Sequence, residues 1–378
     1  MRIALTGGGT GGHILPAMAV LEALRARSSP DLDVRWFGPE DRGERAQVER
    51  FGLVFESVPA AGVRGRGPIR LVKSFARLGS GTLTAVRKLR RYRPDAVFST
   101  GGYGSFPCSV AARLLRKPLV VFLPDVEPGW AVKAEKKLAT RMATTTEAAL
   151  AFLPRKKTVV TGYPVRKEFF ALTRENARSA LGLRMDDRVV VVAGATQGAR
   201  AINAAIFKEL RTLTKAAHVF HVTGQADYGE AAGQRETLGA ELAARYQVAS
   251  FRDDLPAVML AADLGVFRAG ASTLGEIPAA GLPAILVPGT YAGGHQRQNA
   301  QWLADGGAAE IVEEAALAKL PARILALIGD ETKLANMRQA ARALAKPGAA
   351  DAIAQLVIEV ARPSPRPSPA SGRAGEER

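Results

Sequence analysis

Apolar and polar positions along this chain follow two periods that take turns. Ile3, Ala4 and Leu5 make a short unbroken apolar run ending at Thr6; Ile14, Leu15, Ala17, Met18, Val20, Leu21 and Leu24 then recur at helical spacing. This predicts a strand over 3–6 and a helix over 13–27. The alternation continues, with strands expected at 34–37, 96–99 and 119–123 and helices at 71–92 and 106–115. It restarts at Val189-Val190-Val191-Val192-Ala193, a β-branched run that suits a strand buried on both faces. A helix through about Leu210 and strands at 219–223, 264–267 and 284–287 follow. Strands alternating with helices predict parallel sheets covered on both sides, so the expected fold is α/β with two doubly wound halves.

Length agrees, because 378 residues exceed what one core comfortably holds. Glycine and proline interrupt the pattern at Gly162-Tyr163-Pro164-Val165-Arg166. The expected units are therefore 1–161 and 162–361. Residues 362–378, rich in Pro, Ser and Arg, are expected to be a disordered tail. No apolar run approaches the roughly 20 residues of a membrane span, and the first residues read as a core strand, not a signal peptide. The single cysteine, Cys108, cannot form an internal disulfide and is expected to be a small buried side chain.

The net charge of +16 changes the picture more. It favours an anionic partner: nucleic acid, a phosphorylated substrate or an anionic membrane surface. No zinc-finger or RNP1 signature is present, so nucleic acid is not expected. Between Gly62 and Leu78 cations mix with Ile69, Leu71, Val72, Phe75 and Leu78, and Arg87, Lys88, Arg90, Arg91 and Arg93 follow. That segment suits a protein lying on anionic lipid; it equally suits a solvated helix with one buried stripe.

The first loop carries the strongest chemical signal. Gly7-Gly8-Gly9-Thr10-Gly11-Gly12-His13 lies between strand and helix. Glycines let backbone N–H groups approach an anion, and the helix terminus adds partial positive charge. A phosphate or diphosphate cradle is expected, with His13 at its lip. The spacing Gly7-x-Gly9-x-x-Gly12 also fits a dinucleotide fingerprint, hence a nicotinamide oxidoreductase. That reading wants an acid closing the second strand, and Glu40 comes late for it. A second glycine-containing loop, Gly194-Ala195-Thr196-Gln197-Gly198-Ala199, opens the second half. Two such loops suggest two phosphate-bearing ligands, one per half.

Three further clusters follow strands: Leu123-Pro124-Asp125-Val126-Glu127, Arg268-Ala269-Gly270-Ala271-Ser272-Thr273-Leu274-Gly275-Glu276 and Gly293-Gly294-His295-Gln296-Arg297-Gln298-Asn299. In open α/β sheets ligands bind beyond the strand carboxyl ends, so Asp125 and Glu127 can reach a cleft there. Glu276 can accept two hydrogen bonds from ribose, and the carboxamides suit sugar hydroxyls. The same residues also have plain readings. Ser272 or Thr273 can cap a helix with Glu276 completing a capping box, Gln298 can be a solvated helix residue, and the two acids can be ordinary loop residues.

In order, the first glycine loop with Pro16-Ala17, Gly101-Gly102-Tyr103-Gly104-Ser105-Phe106-Pro107, Gly162–Arg166, Thr196-Gln197-Gly198-Ala199-Arg200 with Asn203, Asp253-Asp254, Arg268–Ala271, Glu276 and His295-Gln296-x-x-Asn299-Ala300 form one set. Together they resemble the peptidoglycan glycosyltransferases of family 28, over nearly the whole chain except the tail. The resemblance implies the GT-B fold, two Rossmann-like domains facing a central cleft. It implies transfer of N-acetylglucosamine from UDP-N-acetylglucosamine to undecaprenyl-diphospho-muramoyl-pentapeptide at the cytoplasmic face of the membrane. The reaction would invert the anomeric centre without metal or cofactor.

By residue matching, Thr10, Gly11, Gly12, His13, Gly102 and Tyr103 would hold the acceptor diphosphate. Arg166, Thr196, Gln197, Arg252, Arg268, Ala271, Ser272, Thr273, Glu276, Gln296 and Asn299 would contact or position the donor, with the backbone at 251–252 near uracil. His13 would be the general base, with Asp125 as the alternative. Family members usually carry His-Glu-Gln-Asn where this chain has Leu123-Pro124-Asp125-Val126-Glu127, and a serine where it has Thr196. A related transferase with another lipid or sugar acceptor stays open, as does a non-catalytic nucleotide-sugar-binding protein.

Overall fold

The computed structural model describes residues 1–8, 11–27, 31–41, 43–62, 68–194, 199–289 and 294–362. The expected tail, Gly9, Thr10, most of the basic Gly62–Pro68 stretch and Ala195, Thr196, Gln197 and Gly198 lie outside the described residues.

The described strands form two all-parallel sheets. The first contains β1 (Arg2–Thr6), β2 (Asp33–Gly38), β3 (Val54–Ser57), β4 (Ala96–Ser99), β5 (Leu119–Leu123), β6 (Arg141–Thr144) and β7 (Thr158–Val160). Their spatial order is 3-2-1-4-5-6-7. The second contains β8 (Val189–Ala193), β9 (His218–Val222), β10 (Tyr246–Ala249), β11 (Leu264–Phe267), β12 (Ala284–Leu286) and β13 (Ala309–Ile311), in the order 10-9-8-11-12-13. Order reverses between β1 and β4 in one sheet and between β8 and β11 in the other. Those switch points open crevices beyond the strand ends, and the glycine segments at 7–12, 101–104, 194–199 and 268–276 follow these four strands in sequence, whereas Gly293-Gly294 comes after β12.

Burial explains the strands. Leu119 to Leu123 and Val189 to Ala193 are buried throughout, as helices on both faces require. Phe98, Phe122 and Leu5 pack with the first helix, Gly11–Arg27, while Val97, Val121 and Cys108 pack on the opposite face. Burial pushes the Cys108 thiol up to about 12, which removes it as a nucleophile.

Pro16 lies inside the first helix and has no N–H for the Gly12 carbonyl one turn back. The Tyr163 hydroxyl, from the linker between the halves, donates to that carbonyl at 3.3 Å. The linker also presses on the second half, because a Cβ at Gly275 would lie 2.8 Å from Tyr163 Cβ and Val165 Cγ1. Glycine at 275 thus permits a close approach beside the hinge.

The last helix departs from the expected boundary. Ala349–Ala361 falls within 162–361, yet Ile353, Ala354 and Val357 bury themselves among Ile3, Ile14 and Leu21 of the first half. Arg27 and Asp351 add an exposed ion pair at 2.6 Å. The chain therefore crosses twice between the halves.

In the long Pro68–Tyr92 helix, Ser74, Leu78, Gly81, Ala85, Leu89 and Tyr92 form the buried stripe. The solvated face keeps apolar residues as well: Phe75 is 60% and Leu83 65% exposed. The side chains of Ile69, Leu71 and Val72 lie outside the described residues.

Candidate active site

His13 lies in the first turn of the Gly11–Arg27 helix, beyond β1. Its Nδ1 is 2.9 Å from the Thr100 carbonyl beyond β4. A carbonyl only accepts, so Nδ1 carries the proton and Nε2 keeps a lone pair. Thr100 Oγ1 donates to the His13 carbonyl at 2.8 Å, fixing the pair from both ends. Burial pushes the His13 pKa below its ordinary value, against the Thr100 hydrogen bond and the Asp125 carboxylate. The ring is therefore neutral at pH 7.

Gly101 and Gly102 turn the chain beside it, at φ of 78° and 84°. A Cβ at Gly102 would lie 2.4 Å from the Gly8 carbonyl oxygen and 3.1 Å from His13 Nε2. Glycine is thus demanded twice, by backbone angle and by contact. Gly12 stands one residue before the histidine, and Tyr103 is half-buried in the same turn. Thr10 is outside the described residues.

Asp125, half-buried beyond β5, reaches across to the second half. Asn299, in the first turns of the His295–Asp305 helix, donates Nδ2 to Asp125 Oδ1 at 2.8 Å and to the Ala269 carbonyl at 3.2 Å. Its Oδ1 accepts from Val126 N at 3.0 Å. Val126 itself packs into the core of the second sheet. Asn299 is thus a fully buried bridge between halves, with both Nδ2 protons and its Oδ1 engaged. Glu127 instead pairs with Lys133 near the surface, at 3.3 Å.

Around the second switch point, Glu276 lies on the Thr273–Ala280 helix. Burial pushes its pKa up, opposed by Arg166 and the Ser272 hydroxyl. Arg166 donates Nη1 to the Asp253 carbonyl at 2.9 Å, while its buried Nε has no partner among the described residues. Ser272 stands at the helix cap position, but no side chain caps the helix. Thr273 Oγ1 turns back to the Gly270 carbonyl at 2.6 Å. The capping-box alternative is therefore not what forms, and Ala271 and Ser272 remain half-buried.

Other expected donor residues are held by protein partners. Arg252 forms a fork with Asp254 at 2.8 and 2.6 Å. Arg268 is buried, donating to Glu314 at 2.7 Å and to the Val287 carbonyl at 3.3 Å. Gln296 accepts from Gly289 N at 2.8 Å. Thr196 and Gln197 lie outside the described residues, and the Arg200–Lys208 helix begins three residues after Gln197.

The halves approach each other at Tyr163. Burial raises its pKa well above the ordinary value, and the charges of Glu276 and Asp125 add to that rise. Asp125 in turn acts on His13. One electrostatic neighbourhood therefore joins His13 and Asp125 with Glu276 and Arg166.

Three residues here escaped site assignment by sequence. Thr100 sets the His13 tautomer and Tyr163 completes the first helix. His295 has a buried Nδ1 without a partner among the described residues, and its Nε2 lies 3.7 Å from a Cβ built at Gly129. The pair Gly293-Gly294 just before His295 was the available signal.

Two parallel-sheet halves meeting through loops at their strand carboxyl ends are the GT-B architecture. Family models for the N-terminal and C-terminal domains of glycosyltransferase family 28 match residues 3–144 and 188–356. The chain belongs to glycosyltransferase family 28. It is 38% identical over 370 residues to the UDP-N-acetylglucosamine--N-acetylmuramyl-(pentapeptide) pyrophosphoryl-undecaprenol N-acetylglucosamine transferase of Desulforudis audaxviator, covering 96% of this chain and 99% of that one. The protein of the same name from Symbiobacterium thermophilum is 36% identical, covering 96% and 97%. Among solved structures, MurG of Acinetobacter baumannii superposes with a TM-score of 0.71 at 25% identity, covering 95% of this chain and 99% of that one. A UDP-GlcNAc 2-epimerase of Neisseria meningitidis shares the fold at TM-score 0.65 and 15% identity, covering 95% and 100%.

Proposed function

We propose that this protein transfers N-acetylglucosamine from UDP-N-acetylglucosamine to undecaprenyl-diphospho-muramoyl-pentapeptide, with inversion at the anomeric carbon. The observation that carries the reading is the neutral His13, its Nε2 lone pair bare beside the glycine turn and linked through Asp125 to the second half. The first-half segment 7–12 and the turn at 101–103 take the acceptor diphosphate. His13 Nε2 removes the proton of the acceptor hydroxyl as that oxygen bonds to C1 of the sugar. The C1–O bond to UDP breaks on the opposite face. Negative charge then grows on the leaving diphosphate, where the N–H groups of residues 194–199 and of the following helix stabilise it.

Glu276 accepts the two ribose hydroxyls, with Arg166 beside it. Charged hydrogen bonds contribute about 1.5–3 kcal/mol each. Two such bonds total about 3–6 kcal/mol, so Glu276→Ala should raise the KM for the donor roughly a hundredfold or more, with the acceptor KM little changed. Steady-state titration of each substrate checks this.

The deciding experiment follows UDP release from UDP-N-acetylglucosamine against a panel of polyprenyl-diphosphate sugars. UDP-N-acetylgalactosamine and UDP-glucose serve as competing donors. Donor binding without UDP release on any acceptor would overturn the reading in favour of a binding protein.

A lipid-linked acceptor requires work at a membrane surface. Among the described residues no helix is long and apolar enough to cross a membrane. Phe75, Leu83 and Arg87 stand on one row of the Pro68–Tyr92 helix at four-residue steps, with Gly79 between the two apolar residues, and Lys73 is exposed nearby. Apolar side chains beside cations suit an anionic, cytoplasmic-face lipid surface. The double change Phe75→Ser with Leu83→Ser should weaken binding to phosphatidylglycerol vesicles at least tenfold. Binding should also fall with salt, as sedimentation of the vesicles would show.

A further inference from the structure

The proposed chemistry makes no use of one buried acid. Glu135 is fully buried, on a Trp130–Leu138 helix that also carries Lys133, Lys136 and Lys137. Three hydroxyls face it. Ser99, closing β4, donates to Oε2 at 3.2 Å, and Ser105 and Ser109 donate to Oε1 at 2.6 and 2.8 Å. Two of these hydroxyls also hold the glycine turn beside His13. Ser99 Oγ accepts from Gly101 N at 3.1 Å, and Ser105 Oγ lies 2.8 Å from the Gly102 carbonyl oxygen.

The Ser105 hydroxyl has one proton and two acceptors. An ionised Glu135 takes that proton. A protonated Glu135 can donate to Ser105 Oγ instead, so Ser105 turns its own proton to the Gly102 carbonyl. The other donor to that carbonyl, Ser105 N, is distant at 3.4 Å. The protonation state of Glu135 therefore decides whether the turn is clamped.

We propose that Glu135 is a positioning residue that, through Ser99 and Ser105, sets the Gly101–Gly102 turn for the acceptor diphosphate. This rests on the acceptor-site reading given above. Burial pushes Glu135 up to about 7, with the Ser105, Ser109 and Ser99 hydroxyls holding it down. The neighbouring titratable groups are Cys108 on the Phe106–Leu114 helix, Lys88 on the Pro68–Tyr92 helix and His13 beyond Gly102. Lys88 is paired with Glu56 at 2.6 Å, and among the described residues no cation pairs with Glu135. The carboxyl thus changes charge near neutral pH, and the clamp is tighter on the acid side.

The test compares wild type with Glu135→Gln between pH 6 and pH 8 by two readouts. These are the KM for a polyprenyl-diphosphate acceptor and amide hydrogen exchange over residues 100–105, corrected for intrinsic pH dependence. In wild type the acceptor KM should rise several-fold toward pH 8, with the donor KM unchanged and exchange over 100–105 faster. Glu135→Gln, which carries no titrating proton, should be flat in both. Ser105→Ala leaves the acid in place but removes the one hydroxyl whose proton switches, since Ser99 Oγ accepts from Gly101 N in either charge state, and should also be flat, so the test survives if the Gln variant fails to fold. The same pH response in wild type and variants would overturn the proposal. If exchange follows the expected pattern while none of the polyprenyl acceptors makes wild type release UDP, the clamp is upheld and the acceptor-site reading fails.

Discussion

Replacing His13 by asparagine should lower kcat by roughly two to four orders of magnitude, the range that one general base supplies. Asparagine keeps a donor able to meet the Thr100 carbonyl, so the turn keeps its support while the lone pair of Nε2 disappears. The donor KM should stay within a few-fold, because Glu276 and Arg166 lie on the other half. The pH profile gives an independent check. Burial lowers the His13 pKa, so the base remains unprotonated through neutrality. The acid limb of kcat/KM should therefore fall below the ordinary histidine range near pH 6.5, and His13→Asn should abolish that limb. Turnover within a few-fold of wild type at saturating substrates would remove His13 as the base and leave Asp125.

How far this site was legible depended on how local each part is. Val189 to Ala193 and Leu119 to Leu123 announce themselves because both sheet faces bury them, so every residue is apolar. Val54–Ser57, Arg141–Thr144, Thr158–Val160 and Ala309–Ile311 carry mixed side chains over three or four residues. Their neighbours' hydrogen bonds, not their own pattern, make them strands. The final helix, Ala349–Ala361, was not read from the sequence, and nothing in its pattern says that Ile353 and Val357 cross to the first sheet.

The chemistry divides in the same way. Glycines and a histidine packed into seven consecutive residues are visible at once. The proton on His13 Nδ1 depends on Thr100, far along the chain. Glu135 reads as one charge among lysines until Ser99, Ser105 and Ser109 enclose it. Motif matching marked Asn299 as a donor residue, whereas the fold also makes it a link between halves.

That link gives the second large effect. Asn299→Ala would leave the Val126 N–H, the Ala269 carbonyl and one oxygen of Asp125 without their partner. An unsatisfied buried group costs about 1–3 kcal/mol, so a total of about 2–5 kcal/mol is expected, since water can reach the half-buried Asp125. Asn299→Asp is the sharper change. One oxygen can still accept from Val126 N, but the other replaces an NH2 that lies 2.8 Å from Asp125 Oδ1. Two carboxylates at that separation cannot both be ionised, and the pair must hold a proton. Retaining that proton becomes harder as pH rises, so the halves are pushed apart on the alkaline side. Asn299→Asp should therefore lose more activity than Asn299→Ala at pH 8 and recover much of it at pH 5.5. The pH dependence of the two variants, with that of wild type, should show this crossing, whereas parallel profiles would mean that the bridge does not hold the halves in register.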